Sequence, residues 1–211
     1  LGTSVAPLVL PWLADTYDWR TAFYLSAIPG LICAVLIWLF VKEPKPVAQD
    51  ASAVAVTGAK PGMFAMLKQR NILVCCGISV FMVSWYLVGI IFLPVFFTVI
   101  KGMPPDDAGQ VVAPMGLATM ICGFVVPFIS DRIGRKPAMI IFTFIGLVTP
   151  IAALHFSGAQ WMLSVLLLIG WTASGSFAVF MGVIPSETVP RTLAASSMGL
   201  VVGAGEIVGG V

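Results

Sequence analysis

The feature that most limits what this chain can fold into is its succession of long apolar runs: residues 1–14, 21–41, 72–100, 109–130, 137–154, 161–184 and 193–211. All but the first are long enough to cross a bilayer as a helix, which takes ~20 apolar residues. In lipid the backbone must satisfy its own hydrogen bonds, so such runs are helical. A membrane barrel would show short segments of alternating polarity, and the chain has none. Composition agrees. The residues are 59% hydrophobic and only 9% charged, against ~25% charged in a soluble domain. The expectation is an all-α polytopic membrane protein. Leu1 and Val211 both lie in apolar sequence, so the chain reads as a piece cut at both ends.

The connections alternate in charge. One set holds Lys42, Lys45, Lys60, Lys68 and Arg70, then Arg132, Arg135 and Lys136, then Arg191. The other holds only Arg20 and Lys101, so nine cations face two. Cytoplasmic loops carry the excess of Lys and Arg, which places the nine-cation side in the cytoplasm of a cell (plasma or inner) membrane. The stretch 42–71 is the longest connection and is rich in Ala, Val, Pro and Gly. It reads as a cytoplasmic linker between an N-terminal part, 1–41, and a larger bundle, 72–211. Met63–Leu67, ahead of Lys68 and Arg70, suggests a short interfacial helix.

Several function classes find no support. No basic stretch could track a phosphate backbone, so nucleic acid is not an expected partner. Cys33, Cys75, Cys76 and Cys122 lie in apolar runs without histidine neighbours and read as buried hydrophobes, with no metal or cofactor expected. A membrane-embedded enzyme would need paired catalytic groups. The one histidine, His155, stands at a span edge, and Glu206 has no partner acid. A channel would show a ring of charge or a carbonyl filter. Neither is visible, although a channel or structural subunit remains the alternative class. No phosphate-binding loop suggests ATP drive.

Breakers recur inside the spans, at Pro29, Gly30, Pro94, Pro114, Pro127 and Pro150. Such breaks suit helices that bend around a cavity. Gly199 with Gly203 and Gly205 with Gly209 form two G-x-x-x-G pairs that would allow close helix approach. The stretch from Gly170 to Ser176 offers another small-residue face.

Between two spans stands Ser130-Asp131-Arg132-Ile133-Gly134-Arg135-Lys136. It resembles the cytoplasmic Gly-x-x-x-Asp-Arg-x-Gly-Arg-Lys signature of the major facilitator superfamily, with Pro127 in the place of the leading Gly. Asp18–Tyr24 is similar to that family's entry into its sixth span, and 186–205 to the junction of its tenth and eleventh. The resemblance implies an incomplete twelve-helix bundle covering about spans five to eleven. It implies a secondary active transporter working by alternating access, and not an enzyme. Gly2–Pro11 departs from the fifth-span pattern of the drug–proton antiporters, which leans against that alternative.

The charged turn invites a specific reading. Gly134 permits a backbone that other residues resist. Asp131 could face the N-terminal end of a neighbouring helix, which the resemblance identifies as the fifth span. Arg132 and Arg135 could grip Glu187 on the same side, since guanidinium suits bidentate carboxylate contact. With Lys136 and Arg191 nearby, these groups would latch the cytoplasmic gate.

Glu206 is the one acid within a span, thirteen residues from Leu193 and so ~20 Å along a helix. An intramembrane acid is a functional candidate, here for carrying the coupling proton. The resemblance implies that the seventh and tenth spans border a central cavity. Ser79, Trp85 and Tyr86 on the one, and Trp171 and Ser174 on the other, would suit a small organic solute. The expected activity is proton-coupled symport of a metabolite such as an organic acid, by a monomer in the lipid bilayer.

Overall fold

A computed structural model describes residues 18–40 and 66–210, together with Val9, Leu13 and Thr16. The described helices fall into two compact units, one holding α1 (Trp19–Phe40) and the other holding all that follow. Most of the expected run 1–14 and of the linker 42–71 lies outside the described residues, as does Met63–Ala65 of the expected interfacial helix.

The larger unit contains five helices long and apolar enough to cross a membrane. They are α2 (Arg70–Ile100), α3 (Pro105–Ile133), α4 (Arg135–His155), α5 (Gln160–Thr188) and α6 (Arg191–Gly209). Each extends the corresponding apolar run by a few residues at one or both ends, or ends within two residues of it. No strand occurs among the described residues.

The central helix is α5: more than half of its most apolar stretch is buried, the largest share of any span. It packs most extensively on α3 and also meets α2, α4 and α6, while α2 lies chiefly along α6. Two cores result. One joins Phe97 of α2, Val111 and Met115 of α3, and Leu163, Leu167 and Trp171 of α5. The other, toward the opposite ends of the helices, joins Ile72, Cys75 and Met82 of α2 with Phe180 of α5 and Val201 of α6. Large apolar side chains also cover the outside: Phe81, Phe124, Phe144 and Trp161 are all exposed. That outward apolar face is what lipid requires.

With lipid as apolar as the helices, close packing rather than hydrophobic burial holds such a bundle together. A Cβ on Gly175 of α5 would collide with the Cys122 carbonyl oxygen of α3, and one on Gly170 with Thr149 of α4. Of the two expected glycine pairs in α6, only Gly205 and Gly209 make close approaches, to Ser79 and to the Val80 backbone of α2. Gly199 and Gly203 face open space.

The spans are not uniform helices. Pro150 has no N–H for the Gly146 carbonyl, and α4 breaks at Leu147. Pro94 precedes a π-helical turn, Phe96–Ile100. In α5 a 3-10 turn, Thr172–Gly175, is followed by a π turn, Ala178–Val183. A further π turn, Gly205–Gly209, closes α6. Irregular turns inside helices are frequent at functional positions.

Candidate functional site

The charged turn forms because α3 ends at Ile133 and α4 begins at Arg135, with Gly134 alone between them. Gly134 has φ 96° and ψ 154°, a conformation that a side chain would strain. Its N–H donates to the Ser130 carbonyl at 3.0 Å, closing the end of α3. The tight turn brings Arg135 over its own preceding helix.

Arg135 is the centre of this site. Its Nη2 donates to Oε1 of Glu187 at 2.7 Å and its Nε to Oε2 at 3.4 Å. Nη1 donates to the Asp131 carboxylate and, at 3.3 Å, to the buried Ser130 hydroxyl. Glu187 lies near the end of α5, so one guanidinium ties the α3–α4 turn to a third helix. Arg135 is only 27% exposed, whereas Asp131 and Glu187 are 60% and 55% exposed.

The remaining charges take other positions. Arg132 does not pair with Glu187: its guanidinium lies 4.5 Å over the Phe128 ring, one turn back on α3. One residue further round the helix than Asp131, it is rotated by ~100° and so points away from the acid. A cation over an aromatic face is a favourable seat at a membrane edge. Lys136 and Arg191 are exposed and form no ion pair among the described residues. The helix expected to face Asp131, around Leu1, lies outside the described residues; among those described, Asp131 pairs with Arg135.

The second site is an aromatic cluster between α2 and α5. The Trp171 ring lies 4.7 Å from that of Trp85 and 5.3 Å from that of Tyr86, measured between centroids. Tyr86 also meets Phe177 at 5.4 Å, edge to face. Gly89 makes the arrangement possible, because a Cβ there would strike the Trp171 ring. Trp171 is 1% exposed and its indole N–H is satisfied, donating to Thr119 Oγ1 of α3 at 3.0 Å. Ser174 donates to the same oxygen at 3.3 Å. Residues i and i+3 eclipse in a 3-10 turn, which is why Trp171 and Ser174 point at one acceptor.

Trp85, Tyr86, Trp171 and Ser174 are thus brought together, and Ser79 is not among them. Ser79 shares a face with Tyr86 but stands two turns away, ~10 Å along α2. There α6 covers it: Ser79 is fully buried against Gly205, and its hydroxyl has no partner among the described residues. Glu206 is exposed in the π turn of α6 and makes no ion pair among the described residues.

Beside the cluster, a cavity of about 240 Å³ opens between α2 and α4, walled chiefly by Trp85, Phe92, Phe96, Pro150 and Trp171. The sequence pointed to two of these rings and to neither Thr119 nor Gly89. The signal available for Thr119 was its being one of few hydroxyls in the apolar run 109–130. Its meaning appears only when Trp171 arrives from α5.

Comparison with known proteins completes the picture. The chain is 26% identical, over 99% of its length and 50% of the other's, to a probable 4-methylmuconolactone transporter of Cupriavidus pinatubonensis. It is 30% identical to a hexuronate transporter of Bacillus subtilis, over 65% of this chain and 34% of that one. It is 25% identical to the multidrug resistance protein MdtG of Serratia proteamaculans, over 83% of this chain and 42% of that one. The chain therefore spans at most half the length of these curated relatives. Its apolar helices make it a multi-pass membrane protein, and the family model described as Major Facilitator Superfamily matches residues 1–211. Over its whole length, this chain belongs to the Major Facilitator Superfamily.

Proposed function

We propose that the full-length protein carries a small organic solute across the plasma or inner membrane by alternating access, as a monomeric, proton-coupled symporter of an organic acid. The observation that carries this reading is the family match along all 211 residues. Two relatives named for 4-methylmuconolactone and hexuronate support a small oxygen-bearing solute. The third, named for multidrug resistance, supports the competing reading of a drug–proton antiporter.

Residues 1–41 would belong to one helix bundle and 72–211 to the other, with 42–71 as the cytoplasmic linker. The solute would rest against Trp85, Tyr86, Trp171 and Ser174, where aromatic walls meet a few hydroxyls. Ser79 is left out of that site, since α6 covers it. The Arg135–Glu187–Asp131 group, on the turn shaped by Gly134, would latch the cytoplasmic gate, with Arg132, Lys136 and Arg191 fixing its orientation in the membrane. Glu206 would carry the coupling proton.

The test uses the full-length protein in sealed vesicles, with internal pH followed while solutes are added. The panel is 4-methylmuconolactone, a hexuronate and a lipophilic cationic dye. Inward proton flux with one of the first two, abolished in Glu206→Gln, supports the symporter and its proton site. Flux that survives the substitution removes Glu206 from the coupling. Outward proton flux evoked only by the dye sinks the symporter in favour of the antiporter.

A further inference from the structure

Arg132 is a cation that the Arg135 group leaves aside. It is exposed, with its guanidinium 4.5 Å over the Phe128 ring one turn earlier on α3. It makes no ion pair and no side-chain hydrogen bond among the described residues. A guanidinium carries five N–H donors in a fixed plane. Here the ring seats its face and leaves those donors unused. The nearby acids are committed elsewhere, since Asp131 and Glu187 both pair with Arg135. Lys136, in the first turn of α4, is exposed and also unpaired among the described residues. The turn thus presents two cations with no counter-charge among those residues.

Below Arg132 the same side of α3 is apolar and bare. Leu117, Ile121, Phe124, Phe128 and Arg132 follow one another at intervals of three or four residues, so they share one helical face. All five are exposed, Phe124 by 80% and Phe128 by 57%. From Leu117 to Arg132 the helix rises ~22 Å. One leaflet with its headgroups is about as deep, half of a bilayer of ~40–45 Å. An apolar strip of that depth, ending in a seated guanidinium, matches the polarity of a phospholipid from tail to phosphate.

We infer that α3 carries a docking site for an anionic phospholipid, with the phosphate on Arg132 and an acyl chain along Phe128 and Phe124. A planar fork of donors fits phosphate at two points. The Phe128 ring holds that fork in place before the lipid arrives. A headgroup with its own ammonium would bring a third positive charge to the turn, so a net negative headgroup is preferred. The turn lies on the cation-rich side of the chain. Such loops face the cytoplasm, and the cytoplasmic leaflet carries the anionic lipid. A lipid held there steadies the last turn of α3, from which Asp131 reaches Arg135. The site is independent of where the solute binds.

The experiment uses the full-length protein in mixed micelles holding equal amounts of dioleoyl phosphatidylglycerol and dioleoyl phosphatidylcholine. Native mass spectrometry counts the lipids that stay bound. Wild type should retain phosphatidylglycerol in roughly fivefold preference or more. Arg132→Gln should lose most of that preference. Phe128→Leu keeps the strip apolar but removes the ring under the guanidinium, and should lower the preference about twofold. Arg191→Gln removes another exposed, unpaired cation from the same set of loops, and should leave it unchanged. Added phosphatidylglycerol should raise the thermal midpoint of wild type and not that of Arg132→Gln.

Equal retention of the two lipids by wild type overturns the site. An equal loss of preference in Arg191→Gln and Arg132→Gln also overturns it, because the attraction would then be to surface charge in general. Wild-type preference in both Arg132→Gln and Phe128→Leu places the lipid elsewhere, and is the result expected if other helices of the full-length protein cover the strip. Elution profiles of every variant separate lost binding from lost folding.

Discussion

Arg135 and Glu187, 52 residues apart in the chain, meet through two hydrogen bonds from one guanidinium edge to the two oxygens of one carboxylate. The remaining amino group of Arg135 holds Asp131. One side chain thereby joins the α3–α4 turn to the end of α5. Exposed ion pairs contribute ~0–1 kcal/mol, and both acids here are more than half exposed. The arrangement suits a contact that must break repeatedly: strong enough to bias two states, too weak to freeze one.

Arg135→Ala should shift the conformational balance of the full-length protein toward the inward-open state by roughly fivefold, from ~1 kcal/mol of lost interaction. Arg135→Lys should behave like the alanine variant, because an ammonium cannot reproduce the two-point grip. Labelling rates at cysteines introduced on the two faces measure this. Equal rates in all three proteins would remove the latch.

Gly134→Ala should destabilise the turn by ~1–3 kcal/mol, the usual strain of a side chain in a glycine-only conformation. Gly134 has a φ of 96° with a ψ of 154°. The thermal midpoint in detergent should fall, and the cysteine-labelling pattern should move as it does for Arg135→Ala. A midpoint equal to wild type would show that the turn relaxes freely.

Gly175→Ala should lower stability by ~1–3 kcal/mol through overpacking, since the new methyl meets the Cys122 backbone and cannot be accommodated by a side-chain movement. Gly123→Ala provides the contrast. A Cβ at Gly123 meets nothing within 4 Å, and alanine is the better helix former by ~1 kcal/mol. Thermal midpoints of the two variants should therefore move in opposite directions.

The spans were legible because ~20 apolar residues between charged turns leave a chain few choices in lipid. The pairing of Arg135 with Glu187 was legible too, from the side of the membrane they share and the chemistry of guanidinium. Arg132 was misplaced because the adjoining position on a helix points elsewhere, and phase depends on where α3 ends. Gly199–Gly203 and Gly205–Gly209 look alike in sequence; only the second pair faces α2, and spacing alone does not say which face meets a neighbour. Thr119 escaped notice because its role depends on a 3-10 turn in another helix. Ser79 was grouped with Tyr86 by helical face, whereas α6 divides α2 along its length.

The hydrogen bond between Trp171 and Thr119 should show as coupling between two substitutions. Thr119→Val strands the buried indole N–H, which costs ~1–3 kcal/mol. Trp171→Phe removes that donor but leaves space beside Trp85, Tyr86 and Gly89, so it destabilises through lost packing. In the double variant the stranded N–H no longer exists. Its stability loss should therefore be smaller than the two single losses together, by ~1 kcal/mol or more. Thermal midpoints of the four proteins measure this cycle. Strict additivity would mean that Thr119 holds Trp171 no better than the bare apolar wall does, and that the 3-10 turn, not the hydrogen bond, fixes the ring.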